Sequence, residues 1–151
     1  MLFARAAALA VHGAYSLDEY QYAHGAWLIA RGQVIFRDFF EHHFPLLHQL
    51  LALVWLGLDD DPAHLALLRL TTVPVILLTL WAGWQLNRRF AGAWAIVTLP
   101  AILALPTYVL MATQLRPDPL AAALFLAALA LVARAHARRA AGASARAAAA
   151  G

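Results

Sequence analysis

Hydrophobic positions in this chain come in long blocks rather than in a stripe recurring every 3.6 residues, so they cannot form the inner face of a water-surrounded helix bundle. Residues 65–86 and 90–115 are each long and apolar enough to cross a bilayer, and 119–135 forms a third, thinner block of alanine and leucine. The pattern predicts three transmembrane helices there. Pro74, Pro100 and Pro106 fall inside the blocks, where lipid-embedded helices tolerate proline at the cost of a kink. The run 44–58 yields only about 22 Å of helix against a hydrocarbon core of about 30 Å. It is followed by Asp59, Asp60 and Asp61, so it is expected to lie in the interface or dip into it.

Residues 1–17 read as the end of a first transmembrane helix, since 2–17 supplies only about 24 Å. A secretory signal fits less well, because His12 interrupts a weak, alanine-based apolar run. The stretch 136–151 reads as a cytoplasmic tail or the start of a further region. On this pattern both ends look cut, and the chain reads as the N-terminal piece of a larger polytopic protein. Between them, 18–64 is an outer loop. From Ser16 to Phe44 it is polar and aromatic, the composition of a segment at headgroup level, with one short helix over about 17–31 ended by Gly32.

Composition agrees: 64% of the residues are hydrophobic and 13% charged, and mean hydropathy is +0.69. The expected fold is therefore all-α, a polytopic helical membrane protein with juxtamembrane helices in an outer loop. The net charge of +3 comes from arginine alone, scattered without interleaved aromatics, which argues against nucleic acid as a partner. Without cysteine there is neither a disulfide framework nor a thiolate metal site. Charge also sets orientation. Arg88, Arg89, Arg134, Arg138, Arg139 and Arg146 belong in the cytoplasm by the positive-inside rule, which leaves all eight acids on the outer side.

Asp18 and Glu19 are adjacent carboxylates at the start of the loop helix, suited to a general base or to contact with a substrate hydroxyl. Ser16 and Glu19 equally make a capping box. Arg116-Pro117-Asp118-Pro119 joins two helices and reads either as a cation and carboxylate facing the same compartment as Asp18 or as a helix stop followed by an N-cap and proline start. Glu41-His42-His43 makes a divalent metal possible, but the HExxH spacing is absent and no metal is assigned. Asp59 to Asp61 reads as a solvated turn, and Arg69 is expected to snorkel outward from its helix end. His12, His24, His64 and His136 have no partner that spacing can name.

Asp18-Glu19-Tyr20-Gln21, Ala26-Trp27-Leu28, Arg31-Gly32-Gln33-Val34 and Arg37-Asp38-Phe39-Phe40-Glu41-His42-His43-Phe44-Pro45-Leu46 together resemble the first outer loop of GT-C type, family 39-like membrane glycosyltransferases. These include protein O-mannosyltransferases and aminoarabinose transferases. Leu115-Arg116-Pro117-Asp118 is similar to the family's second outer-loop motif. The resemblance implies a multi-pass enzyme, expected in a bacterial inner (plasma) membrane. It transfers a sugar, with inversion, from a polyprenyl-phosphate donor to an acceptor hydroxyl on a lipid, glycan or protein. By position it makes Asp18, Glu19 and Asp118 the catalytic candidates. Arg37, His42, His43 and Arg116 are inferred as the groups that contact phosphate, because the chain has no lysine. A non-catalytic membrane subunit that binds a lipid-linked sugar is the alternative. A transporter is disfavoured, because 70–86 and 91–115 carry no ionisable group at midplane.

Overall fold

The computed structural model describes residues 13–150 together with Ala4 and Ala8, so the expected helix over 1–17 lies, up to residue 12, outside the described residues. The molecule is all helical, with 77% of it in helix and no strand among the described residues.

Helix α1, Leu17–Ala30, begins as its sequence predicts. The Ser16 hydroxyl accepts from the Glu19 amide at 3.3 Å, and the Glu19 carboxylate accepts from the Ser16 amide at 3.0 Å. Helix α2, Leu46–Trp55, follows Pro45 and packs back on α1, with Tyr22, Ala26, Leu47, Leu51 and Trp55 in a core shared with Leu68 and Leu115. The approach is close enough to require Gly25: a Cβ there would stand 2.7 Å from the His48 ring. At ten residues α2 is about 15 Å long, too short to cross a bilayer.

A 3-10 turn, Pro62–His64, capped by Asp61, leads into α3, Leu65–Leu70, and α4, Thr72–Ala91. The break at Thr71 places Pro74 in the first turn of α4, where its missing N–H costs nothing. Gly92, at φ 54°, then reverses the chain. The expectation of one helix over 90–115, kinked at its prolines, is corrected here. The return path is a 3-10 stretch, Gly92–Val97, then α5, Thr98–Ala104, and α6, Pro106–Ala112. Proline is the cause: Leu105 must be extended before Pro106 (ψ 109°), and Pro106 then opens a new helix. The return runs antiparallel to α4. Asn87 bonds Thr98, Gly83 faces Ile102, and Ile76 and Leu80 pack with Leu103, Tyr108 and Ala112.

Helix α7, Pro117–Ala150, has 34 residues, about 51 Å, and outruns the predicted 119–135. The residues expected as a tail continue the helix because alanine and arginine rank among the strongest helix formers. α7 runs beside α4 in the same direction. Ala82 meets Ala127 and Ala130 midway, and Arg89 reaches the Ala133 carbonyl farther on. Two helical stretches, within Pro62–Ala104 and Pro117–Arg146, are long and apolar enough to cross a membrane, by length and composition. Arg116 and Asp118 thus lie at one end of α4 and α7, and Arg88, Arg89 and Arg134 lie toward the other.

Candidate functional site

The polar end of the molecule is organised by a buried ion pair. Arg69 does not snorkel: it is 1% exposed and grips Glu19 bidentately, Nε to Oε1 at 2.8 Å and Nη2 to Oε2 at 2.7 Å. Its remaining donors reach the carbonyls of Gly13 (2.7 Å) and Ala14 (2.9 Å), and the guanidinium stands 3.8 Å from the Tyr15 ring centroid. The inward turn has a plain reason. A fully buried carboxylate demands a partner, and the guanidinium fork satisfies both oxygens at once. Glu19 Oε1 also accepts from the Leu115 amide at 3.1 Å, so this one side chain ties α1, α3 and the start of the 115–118 segment together. Burial is the largest single influence on the Glu19 carboxyl and pushes its pKa up. The bonds from Arg69, Ser16 and Leu115 outweigh it and leave the pKa below the ordinary value.

Beside this joint, the neighbours of Glu19 and Leu115 meet. Arg116 Nη2 bonds Asp18 Oδ2 at 2.7 Å across 98 residues of sequence, and Asp118 lies 3.9 Å from Arg116 Nε. Asp18 is half exposed and Asp118 more so, whereas Glu19, the third catalytic candidate, is wholly enclosed with both oxygens engaged.

One turn along α1 from Asp18, Tyr22 opens a second polar array. Its hydroxyl is 3.2 Å from His43 Nε2, and His43 Nδ1 is 2.8 Å from Glu41 Oε1. Glu41 also accepts from the amides of His42 and His43 and from Gln21. Its Oε2 lies 3.1 Å from Nε2 of the buried His48, a charge contact without the alignment of a hydrogen bond. Burial acts upward on the Glu41 carboxyl as the largest influence. The His43 and Gln21 bonds and the charge of His48 overcome it and hold the pKa at about 2. Burial lowers the His48 pKa, opposed by the neighbouring Glu41 carboxylate. Burial, and next the charge of Asp18, push the Tyr22 phenol up, keeping it a donor at neutral pH. Glu41, His43 and Tyr22 thus form a carboxylate–imidazole–phenol chain that fixes the imidazole's orientation.

Between the start of α2 and the start of α7 lies a cleft of about 400 Å³ lined by His42, His43, Leu46, Asp118, Leu120 and Leu124. It combines one acid and two imidazoles at one side with a predominantly apolar wall, the composition of a site for an amphipathic ligand. The fold therefore gathers Asp18, Arg116, Asp118, His42 and His43 at one end of the molecule. Arg37 does not join them. It is exposed and forks onto both oxygens of its neighbour Asp38, whose Oδ2 also accepts from the Val34 amide. Glu41, His42 and His43 offer ligand atoms within 4.8 Å of one another, compact enough for a divalent cation, although their hydrogen bonds close without one.

Two residues that organise this polar end escaped sequence reading. Arg69 carried a signal, since a lone charge inside the apolar run 65–80 needs a partner. Tyr22 carried none beyond standing one turn from Asp18. His24 and His64, which had no partner by spacing, stack on Trp27 and contact Asp59 at 3.1 Å, respectively. The chain matches no family model, no curated protein and no solved structure.

Proposed function

We propose that this chain forms part of a polytopic membrane glycosyltransferase that moves a sugar, with inversion, from a polyprenyl phosphate to an acceptor hydroxyl on the outer face of the membrane. One observation carries the reading. Asp18 and Arg116, drawn from two segments 98 residues apart, meet at 2.7 Å beside a cleft that is apolar along one wall and lined by His42, His43 and Asp118 at its polar side. A lipid-linked phosphate has that duality: an isoprenoid tail for the apolar wall and a phosphate for the polar side that Arg116 adjoins. Asp18 accepts the acceptor's proton as its oxygen attacks the anomeric carbon. Arg116 neutralises the charge that grows on the departing phosphate. Glu19 is a positioning residue, setting Asp18 against Arg116 through Arg69 and the Leu115 amide. Arg88, Arg89 and Arg134 at the far end of α4 and α7 support an orientation with that end in the cytoplasm.

Asp18→Asn tests the assignment, because asparagine keeps the side chain's shape but accepts no proton. Sugar transfer from a polyprenyl-phosphate donor is expected to fall by about 10²-fold or more with donor binding nearly unchanged. Near-normal transfer would remove Asp18 from catalysis. Donor binding without transfer by the unmodified protein would favour a non-catalytic subunit.

A further inference from the structure

On the face of α1 opposite Asp18 and Tyr22 lies a second hollow, of about 360 Å³, within the size range of small-molecule sites. Tyr20, His24 and Trp27 recur at helical spacing along that face, and Trp55 and Asp60 complete the wall. The Trp27 indole donates to Asp60 Oδ1 at 2.7 Å. Arg31 bonds the same oxygen and stands over the Trp27 ring. Asp60 Oδ2 accepts no hydrogen bond among the described residues, and the carboxylate is more than half exposed. Aromatic anchoring at a lipid interface does not account for this arrangement. The rings line a concavity rather than a belt, and Asp59 and Asp61, exposed acids flanking Asp60, keep its surroundings in water.

The charge of the wall selects the ligand. Arg31 is paired to Asp60 and the exposed acids Asp59 and Asp61 stand beside them, so a phosphate finds no unpaired guanidinium in the hollow among the described residues. A neutral polyol does fit. The rings supply a flat apolar platform for the C–H face of a sugar, and Asp60 Oδ2 and the Arg31 guanidinium supply an acceptor and donors for its hydroxyls. We propose that this hollow binds a pyranose ring, and that the ring belongs to the acceptor. The second clause rests on the transferase reading; the binding itself does not.

Saturation-transfer NMR on the chain in phosphatidylcholine nanodiscs tests it with methyl glycosides of glucose, galactose, mannose and N-acetylglucosamine, and with glycerophosphoethanolamine as the headgroup probe. At least one glycoside is expected to bind saturably, and the headgroup probe is not. Tyr20→Ala and Asp60→Asn should each weaken that binding by about fivefold or more. Tyr20 is half exposed and lies outside the core cluster that joins α1 to α2, so its removal leaves that core intact. The proposal is overturned if no glycoside saturates, if glycerophosphoethanolamine binds instead, or if Tyr20→Ala binds as tightly as the unmodified chain. No donor is present in the assay. A negative result therefore leaves transfer by Asp18 to be decided by turnover alone.

Discussion

From Ser16 to Leu70 an apolar core is pinned by directional polar contacts that reach far along the sequence, whereas from Thr72 to Ala150 the helices are held mainly by apolar packing. The first region turns on Glu19 and Arg69, fifty residues apart, and on Trp55 donating to the Ala23 carbonyl at 3.2 Å. The second sets Ala82 against Ala127 and Ala130, and Ile76 and Leu80 against Leu103. Polar joints fix geometry to a fraction of an ångström because their donors and acceptors are directional. Alanine contacts fix only how closely two helices approach. The proposed site stands on the first kind of support, as a site that must hold a carboxylate against a guanidinium requires.

The sharpest way to break this contrast is Arg69→Met, which leaves Glu19 buried and unpaired. It should destabilise the folded protein by about 3–5 kcal/mol, read as a shift in thermal unfolding followed by helical circular dichroism. The double variant Arg69→Met with Glu19→Gln removes the orphan charge and should recover part of that loss. If the single variant unfolded like the parent, the ion pair would not be the joint described here. In the second region the corresponding insult is steric. Ala130→Leu overfills the contact between α4 and α7, with an expected cost of about 1–3 kcal/mol in the same measurement. A larger cost than that of Arg69→Met would invert the comparison.

A smaller effect comes from acid. The Glu41 pKa is about 2 in the fold against an ordinary 4.5, so on acidification the unfolded chain takes up that proton first. The stability contributed by Glu41 is then whole above about pH 4.5 and drains away as the pH falls toward 2. Unfolding midpoints measured across this window should fall less steeply for Glu41→Gln than for the parent. Equal slopes would mean that His43 and Gln21 do not hold the carboxylate as drawn.

Much of the architecture could be read from local sequence, because local rules govern it. Ser16 and Glu19 announce the start of α1, the apolar blocks announce α4 and α7, and the Arg116-Pro117-Asp118-Pro119 string announces the start of α7. The sequence also contained the proline that divides 90–115. Reading it as a mere kink failed because Pro106 forces Leu105 out of the helical region and Gly92 had already reversed the chain. The length of the apolar blocks, with the composition, pointed to an all-helical, strongly apolar molecule. Tertiary structure decided which charges meet. Nothing in the spacing pairs Glu19 with Arg69, Asp18 with Arg116, or Tyr22 with His43, since each contact spans from about 20 to about 100 residues and depends on the packing of α1 against α2 and the return of the chain beside α4. A side chain's periodicity tells which face it occupies, but a partner is chosen by what the fold buries beside it, and a buried charge accepts only a neighbour that can satisfy it.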